Sequence, residues 1–266
     1  MRRLHLAEIE DQPWCPRPVR DAATDYLELM IRLGNAYAPV APLLRRALRR
    51  TGARRIVDLC SGGGGPWPRL LPELEREGGP VEVVLTDLYP NLEALRRVRD
   101  ATGGRLAFRE ESVDATRIPP GLDGFRTVFT AFHHFPPERA RAILRDAVRA
   151  RQGIGVFEAT ERSPAGLAAM LPAPLAVLLA TPFIRPFRPS RLLWTYLLPA
   201  VPALVLWDGV VSCLRTYTPD ELRAMADELA GEGYRWEIGR ARSRGAPAPV
   251  TYLLGWPEEG AARTQP

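Results

Sequence analysis

The residues best suited to chemistry in this chain stand at the ends of short apolar runs. Val57-Asp58-Leu59-Cys60-Ser61-Gly62-Gly63-Gly64-Gly65 leads an acid into a run of glycines, and Val83-Val84-Leu85-Thr86-Asp87 ends in a second acid. His133 and His134 follow a third run, ahead of Pro136 and Pro137, and Glu158 closes a fourth with Glu161 just beyond it. A glycine turn lets a ligand approach the main chain closely. An acid roughly 20 residues further on can accept hydrogen bonds from both hydroxyls of a ribose and would repel a phosphorylated one; Asp87 stands 23 residues past Gly64. A neutral imidazole accepts a proton near pH 7, which makes His133 and His134 candidate general bases. Each feature also has a plainer use. The glycines can form a flexible loop, Asp87 can cap a helix over Leu88 to Arg97, and the histidines can cap the helix at Pro137 or bond the backbone.

Bringing these residues together requires strands that end on a common edge. Arg55–Leu59 reads as a buried strand, and Trp67–Leu74 as a helix with Pro68 in its first turn. Further strands are expected at Val81–Thr86, Leu106–Glu110, Thr127–Ala131 and Gly153–Ala159, with helices at Leu92–Ala101 and Glu138–Ala150. This alternation predicts an α/β fold with an open, mostly parallel sheet and helices on both faces. Upstream, Asp21–Ala36 and Val40–Arg50 have helical spacing, whereas the prolines before residue 20 argue against a regular element there. These helices either cover the sheet edge or close over a ligand, with Trp14, Arg20 and Tyr26 as candidate contacts. Downstream, Thr218, Pro219 and Glu221 spell a capping box that opens a helix to about Ala230, with Gly231 and Gly233 as stops. Arg235–Arg242 and Pro249–Trp256 read as a hairpin turning through Ser243–Pro247, and the tail after Pro257 as frayed.

At 266 residues and 46% hydrophobic, the chain suits one large α/β domain with additions. Its net charge of +5 comes entirely from arginine, scattered as on solvated helix faces and not gathered in a nucleic-acid groove. Arginine and proline richness without lysine suggests a bacterial genome of high GC content. Three cysteines, Cys15, Cys60 and Cys213, argue for a reducing compartment and against a disulfide framework. No C-x-x-C or H-E-x-x-H pattern occurs, so no metal site is expected. The N-terminus has no long apolar run of the secretory kind, so a cytoplasmic location is expected.

The segment 163–213 breaks the alternation. No charge occurs from Ala165 to Ile184 or from Leu192 to Trp207, but five prolines and Arg185, Arg188 and Arg191 interrupt it. The breakers argue against a hairpin across a bilayer. The expectation is an apolar helical insertion, acting as a lid over an apolar pocket, docking on a membrane surface, or simply packing as core.

Taken together, these motifs resemble the class I S-adenosylmethionine-dependent methyltransferases, over roughly residues 51–160 and 217–256. The resemblance implies a seven-stranded Rossmann-like methyltransferase sheet. It divides the chain into an N-terminal helical cap (1–50), a catalytic domain (51–162 and 214–257) and the insertion (163–213). It implies S-adenosyl-L-methionine as cofactor, held by Asp58, Cys60, Ser61, Gly62 and Gly64 of the first motif, with Cys60 where the family usually has glycine. Asp87 and Leu88 match the ribose-binding position, Asp114 and Ala115 the adenine position, and Thr130 the segment lining the cleft under the methyl group. His133, His134 and Glu158 are the catalytic candidates, and Tyr217 and Trp14 the candidate pocket walls. The implied reaction methylates O, N or C of a small, apolar acceptor. A nicotinamide oxidoreductase and a non-enzymatic binding module are the alternatives. A nucleic-acid substrate is disfavoured because Phe135-Pro136-Pro137 lacks the polar residue that base methyltransferases place before the prolines.

Overall fold

The computed structural model describes residues 1–230, 233–242 and 249–258. In chain order the elements are α1 (Arg17–Gly34), α2 (Val40–Thr51), β1 (Arg55–Leu59), α3 (Trp67–Gly78), β2 (Glu82–Leu85), α4 (Leu92–Ala101), β3 (Leu106–Phe108), β4 (Phe125–Phe129), α5 (Pro137–Arg149) and β5 (Ile154–Glu158). The helices α6 (Pro164–Met170), α7 (Ala173–Ala180), α8 (Pro189–Leu192), α9 (Ala200–Arg215) and α10 (Pro219–Asp227) follow, and then β6 (Tyr234–Ala241) and β7 (Val250–Pro257). The chain forms two compact units. One joins Met1–Asn35 to Thr160–Tyr217, and the other joins Ala36–Ala159 to the chain from Thr218 onward.

The second unit is built on a seven-stranded sheet in the order β3-β2-β1-β4-β5-β7-β6. The first five strands are parallel, and β7 runs antiparallel between β5 and β6. This is the predicted fold. Strands β4 and β5 are buried along their whole length, as central parallel strands covered on both faces must be. The register sets Asp58 opposite Leu85 on one side and Thr127 on the other, and Phe129 opposite Phe157. Helix α2 packs on α3 and β7, α4 on β3, and α10 on β6 and β7. The expected capping box is present: Glu221 N–H donates to Thr218 Oγ1 at 3.3 Å, and Thr218 N–H to Glu221 Oε2 at 2.9 Å.

Strand ends differ from the sequence reading for local reasons. β4 stops at Phe129 and not at Ala131, because Thr130 turns to a left-handed φ of 41°. It begins earlier than expected, right after Gly124, whose added Cβ would lie 2.8 Å from the Arg55 carbonyl oxygen. The residues read as the hairpin turn, Gly231, and the tail from residue 259 lie outside the described residues.

The first unit is helical. Contrary to expectation, regular structure begins before residue 20: α1 starts at Arg17, with Pro18 in the first turn, where a missing N–H costs nothing. Val19, Ala22, Ala23, Tyr26 and Leu29 of α1 share one apolar core with Val177, Ile184, Val201, Leu204 and Val205. The prolines of the insertion do not abolish helix; they restart it, with Pro164 and Pro174 in the first turns of α6 and α7. By length and composition Pro164–Phe183 is able to cross a membrane, while the pair Pro189–Leu197 and Ala200–Arg215 is bent by 75°. Asp208 on α9 holds the N-terminal segment by accepting the N–H groups of Ile9 at 2.6 Å and Glu10 at 3.0 Å.

Replacing Thr218 by Ala removes one half of the capping box and leaves a helix N-terminal N–H without its acceptor. Urea unfolding should show a loss of about 1 kcal/mol; an unaltered midpoint would show that α10 does not depend on this cap.

Candidate active site

The carboxyl edge of the parallel strands carries the candidate residues because every β-to-α connection in a parallel sheet leaves by that edge. Beneath it lies Asp58, at the end of β1 and buried. The Ser61 hydroxyl donates to its Oδ2 at 2.6 Å and the Thr127 hydroxyl to its Oδ1 at 2.6 Å. Thr86 closes the knot: its N–H donates to Ser61 Oγ at 3.1 Å and its hydroxyl to the Asp58 carbonyl at 2.8 Å. Burial pushes the Asp58 carboxyl up to about 7, despite the two hydroxyl bonds that favour the charged form. Asp58 and Ser61 therefore brace the turn from below, with both Asp58 oxygens taken by hydroxyls of the protein.

The turn itself runs through left-handed backbone at Cys60, Gly62, Gly64 and Gly65. At Gly64 an added Cβ would sit 2.9 Å from Val98 on α4, so this glycine is required by both φ and space. Cys60 tolerates φ 57° without being glycine, and burial pushes its thiol well above the usual range, which leaves it a neutral small side chain.

Above the turn, Asp87 faces Gly62. Its Oδ2 accepts the Gly62 N–H at 2.9 Å and its Oδ1 the Tyr89 N–H at 2.8 Å. It does not cap α4; Asn91 does, accepting the Ala94 N–H. Leu88 is half-buried beside it and Tyr89 is exposed. Past β3, Asp114 Oδ1 accepts the Thr116 N–H at 2.8 Å and hydroxyl at 2.7 Å, and Arg139 reaches Oδ2 at 3.3 Å. Desolvation works to raise the Asp114 carboxyl, but the Thr116 bonds and the Arg139 charge outweigh it and hold it below the usual range. Ala115 is buried next to it.

Thr130 and the Phe132–His134 turn join the segment after β4 to the end of β5. Thr130 Oγ1 accepts the Ala159 N–H at 3.0 Å and bonds the Tyr37 hydroxyl. Phe132–His134 forms a single 3₁₀ turn, whose Phe132 and His133 N–H groups donate to Glu158 Oε1 at 2.8 and 3.3 Å. The other carboxylate oxygen of Glu158 lies 2.7 Å from His133 Nδ1, and both side chains are buried. The His133 and His134 rings lie 4.4 Å apart, tilted by 31°. Two residues singled out separately in the sequence are thus one hydrogen-bonded pair.

The remaining candidates fall in the helical unit. Tyr26 is core, Arg20 braces the carbonyls of Glu10 and Gln12, Trp14 is exposed, and the ring of Tyr217 carries the Arg3 guanidinium at 4.1 Å. The Glu161 carbonyl accepts the Ser163 N–H there. Sequence reasoning missed Thr86, Thr127, Tyr37 and Arg139. Thr86 had a signal, as the polar residue ending an apolar strand just before Asp87; Arg139, in the first turn of the helix after the histidines, had a weaker one.

No protein-family model matches the chain, and no curated protein matches it in sequence. Solved structures do. An O-methyltransferase family protein from Burkholderia thailandensis aligns over 92% of this chain at 20% identity and a TM-score of 0.51. The plantazolicin methyltransferase BpumL, solved in complex with SAH, aligns over 94% of both chains at 11% identity and a TM-score of 0.57. NcsB1, an O-methyltransferase from neocarzinostatin biosynthesis solved with S-adenosyl-L-homocysteine and 1,4-dihydroxy-2-naphthoic acid, aligns over 91% of this chain at 18% identity and a TM-score of 0.53. The chain spans 61% of the length of the first and 59% of the last. At these identities the likeness is one of fold, a fold this chain shares with solved methyltransferases.

The buried Asp58 ties stability to pH. Its folded pKa of about 7 lies above the ordinary carboxylate value of 3.8, so between these pH values the folded state holds a proton the unfolded state has lost. Stability from this group is full below about pH 3.8 and is lost as pH rises from there to about 7, a total on the order of 4 kcal/mol. Asp58→Asn carries no such charge. Urea midpoints at pH 5 and pH 8 should therefore show the variant gaining on the parent at the higher pH; a constant difference would mean that Asp58 is not held in this state.

Proposed function

We propose that this chain is a methyltransferase that uses S-adenosyl-L-methionine to methylate O, N or C of a small, apolar acceptor. The observation that carries the reading is the pairing of Asp87 with Gly62 at the mouth of the β1 turn, within a fold shared with proteins solved with S-adenosyl-L-homocysteine. The residues suit that group. An added Cβ at Gly62 would meet nothing within 4 Å, so the turn opens to space there; Asp87 presents a carboxylate beside it, and Asp114, past β3, is held ionised. Gly62, Gly64, Cys60 and Ser61 would carry the main chain around it, with Asp58 and Ser61 fixing the turn from beneath. Asp87 and Leu88 would meet the ribose, Asp114 and Ala115 the adenine, and Thr130 the wall next to the methyl group.

When bound, the sulfonium supplies an activated methyl group and its own leaving group. The protein must align an acceptor in line with it, exclude water and take up a proton. His133 is the residue for the proton. With Nδ1–H donated to Glu158, the acceptor lone pair belongs to Nε2, and the buried carboxylate stabilises the imidazolium that forms. Glu158 is then a positioning residue, fixed in turn by the Phe132 and His133 N–H groups. His134, its ring 4.4 Å from that of His133 and tilted to it, belongs to the same turn.

The antiparallel β7 and β6 favour this over a nicotinamide oxidoreductase, whose dinucleotide-binding sheets lack such a hairpin. Three free cysteines, of which Cys15 and Cys213 are buried, support a reducing compartment such as a bacterial cytoplasm.

Two measurements test the reading. Calorimetric titration with S-adenosyl-L-methionine should show binding, weakened at least tenfold in Asp87→Ala through loss of charge-assisted hydrogen bonds worth about 1.5–3 kcal/mol. No binding by the parent would leave a non-enzymatic module. Transfer of labelled methyl to a panel of phenols, amines and fatty acids should fall by about 10²–10⁴ in His133→Ala at unchanged cofactor affinity. Undiminished transfer would remove His133 from the chemistry.

A further inference from the structure

The helical unit presents a surface unlike that of an ordinary soluble domain. Helix α7 and its flanks bury one side: Ala173, Ala176, Val177 and Ala180 pack into the core shared with α1 and α9. The opposite side repeats every fourth residue. Leu171, Leu175, Leu179 and Phe183 are 69%, 58%, 65% and 74% exposed. Residues four apart lie one above another on a helix, so these form a single stripe about 18 Å long. A surface helix normally carries charge on that side. The stripe is widened by the turn that follows α8. Leu193, Tyr196, Leu197 and Leu198 are exposed, and the Tyr196 hydroxyl, bonded to the Leu178 carbonyl at 2.6 Å, ties that turn to α7.

The segment that carries the stripe has charge of one sign only. Between Arg162 and Asp208 the chain contains Arg185, Arg188 and Arg191 and no acid. Arg191 is buried against Asp25, and Arg188 leans on Asp21 and Asp25. Arg185 is exposed, two residues beyond Phe183, and Phe187 is exposed two residues further on.

We propose that this face docks on an anionic lipid bilayer, with the Leu171–Phe183 stripe and Leu197 seated at the boundary of headgroups and acyl chains and Arg185 among the headgroup phosphates. An apolar stripe flanked by the exposed Arg185, on a segment that contains no acid, is complementary to such a surface. A second copy packed through the same segment would offer Arg185 no acid from residues 163–207. The helix lies along the bilayer and does not cross it. Its buried side is packed in one core with α1, which carries Arg20, Asp21, Asp25 and Glu28, and spanning would drag those charges into hydrocarbon. This proposal stands apart from methyl transfer and is read by binding alone.

The test is flotation of the full chain with vesicles of phosphatidylcholine alone and of phosphatidylcholine mixed with phosphatidylglycerol. Binding should be at least about fivefold tighter to the anionic vesicles. That preference should shrink as salt rises from about 0.1 M to about 1 M and the screening length falls from about 10 Å to about 3 Å. Arg185→Glu, on an exposed side chain, should lose the preference for anionic vesicles while melting like the parent. The double variant Leu175→Asp, Leu179→Asp should bind both kinds of vesicle at least about tenfold more weakly. Should the double variant fail to fold, Arg185→Glu and the salt series decide alone. No binding to either vesicle, a preference unmoved by Arg185→Glu and salt, or a stable dimer in light scattering that the leucine variant dissolves, would each overturn the proposal.

Discussion

A single buried carboxylate organises the sheet edge. Asp58 ends β1 and is bonded through Ser61 to its own turn, through the Thr127 hydroxyl to β4, and through its carbonyl to Thr86 on the other side. Three neighbouring strands are thereby fixed at the level where they turn, and a polar carboxyl group far from water is given two hydroxyl partners in place of solvent. The glycine turn above has few side chains to hold its shape. Left-handed backbone at four of its positions is affordable only where something below it specifies the path.

Everything placed on that edge inherits its alignment. Asp87 and Asp114 follow β2 and β3, Thr130 and the histidine turn follow β4, and Glu158 ends β5. The spacing between adjacent strands, close to 5 Å, is what allows a carboxylate at the end of one strand to reach the loop after its neighbour. The Asp87–Gly62 and Glu158–His133 bonds are two instances of that geometry on opposite sides of β1. Electrostatics separate their environments. Asp114 has an arginine and a threonine to keep it ionised, whereas Asp58 has burial to neutralise it.

The helical unit obeys a different constraint. Its core is made by α1, α7 and α9 together, from two segments far apart in sequence. A hydrogen-bond network of Glu8, Asp208, Ser212 and Arg215 fastens the N-terminal segment to α9. The apolar content of the 163–213 segment exceeds what this small core can bury, since only 11% of the apolar stretch within Pro164–Phe183 is buried. The surplus is therefore surface.

The sequence by itself determined the parallel strands, the helix after the glycine turn, the capping box at Thr218 and the closing antiparallel pair. These depend on local period, turn chemistry and capping, which act within a few residues. It also marked Asp58, Asp87, His133 and Glu158, because an acid or histidine at the end of an apolar run stands out, and Asp114 through the family resemblance alone. It did not distinguish their roles. Only the tertiary structure separated Asp58, buried beneath the turn, from Asp87, beside it, since that depends on which strand lies opposite. The same holds for Glu158 and His133, which are 25 residues apart and meet only when β4 and β5 pair. Which side of α7 is core and which is exposed was likewise undetermined. Both sides are apolar, so periodicity carries no signal, and the partner helix alone decides.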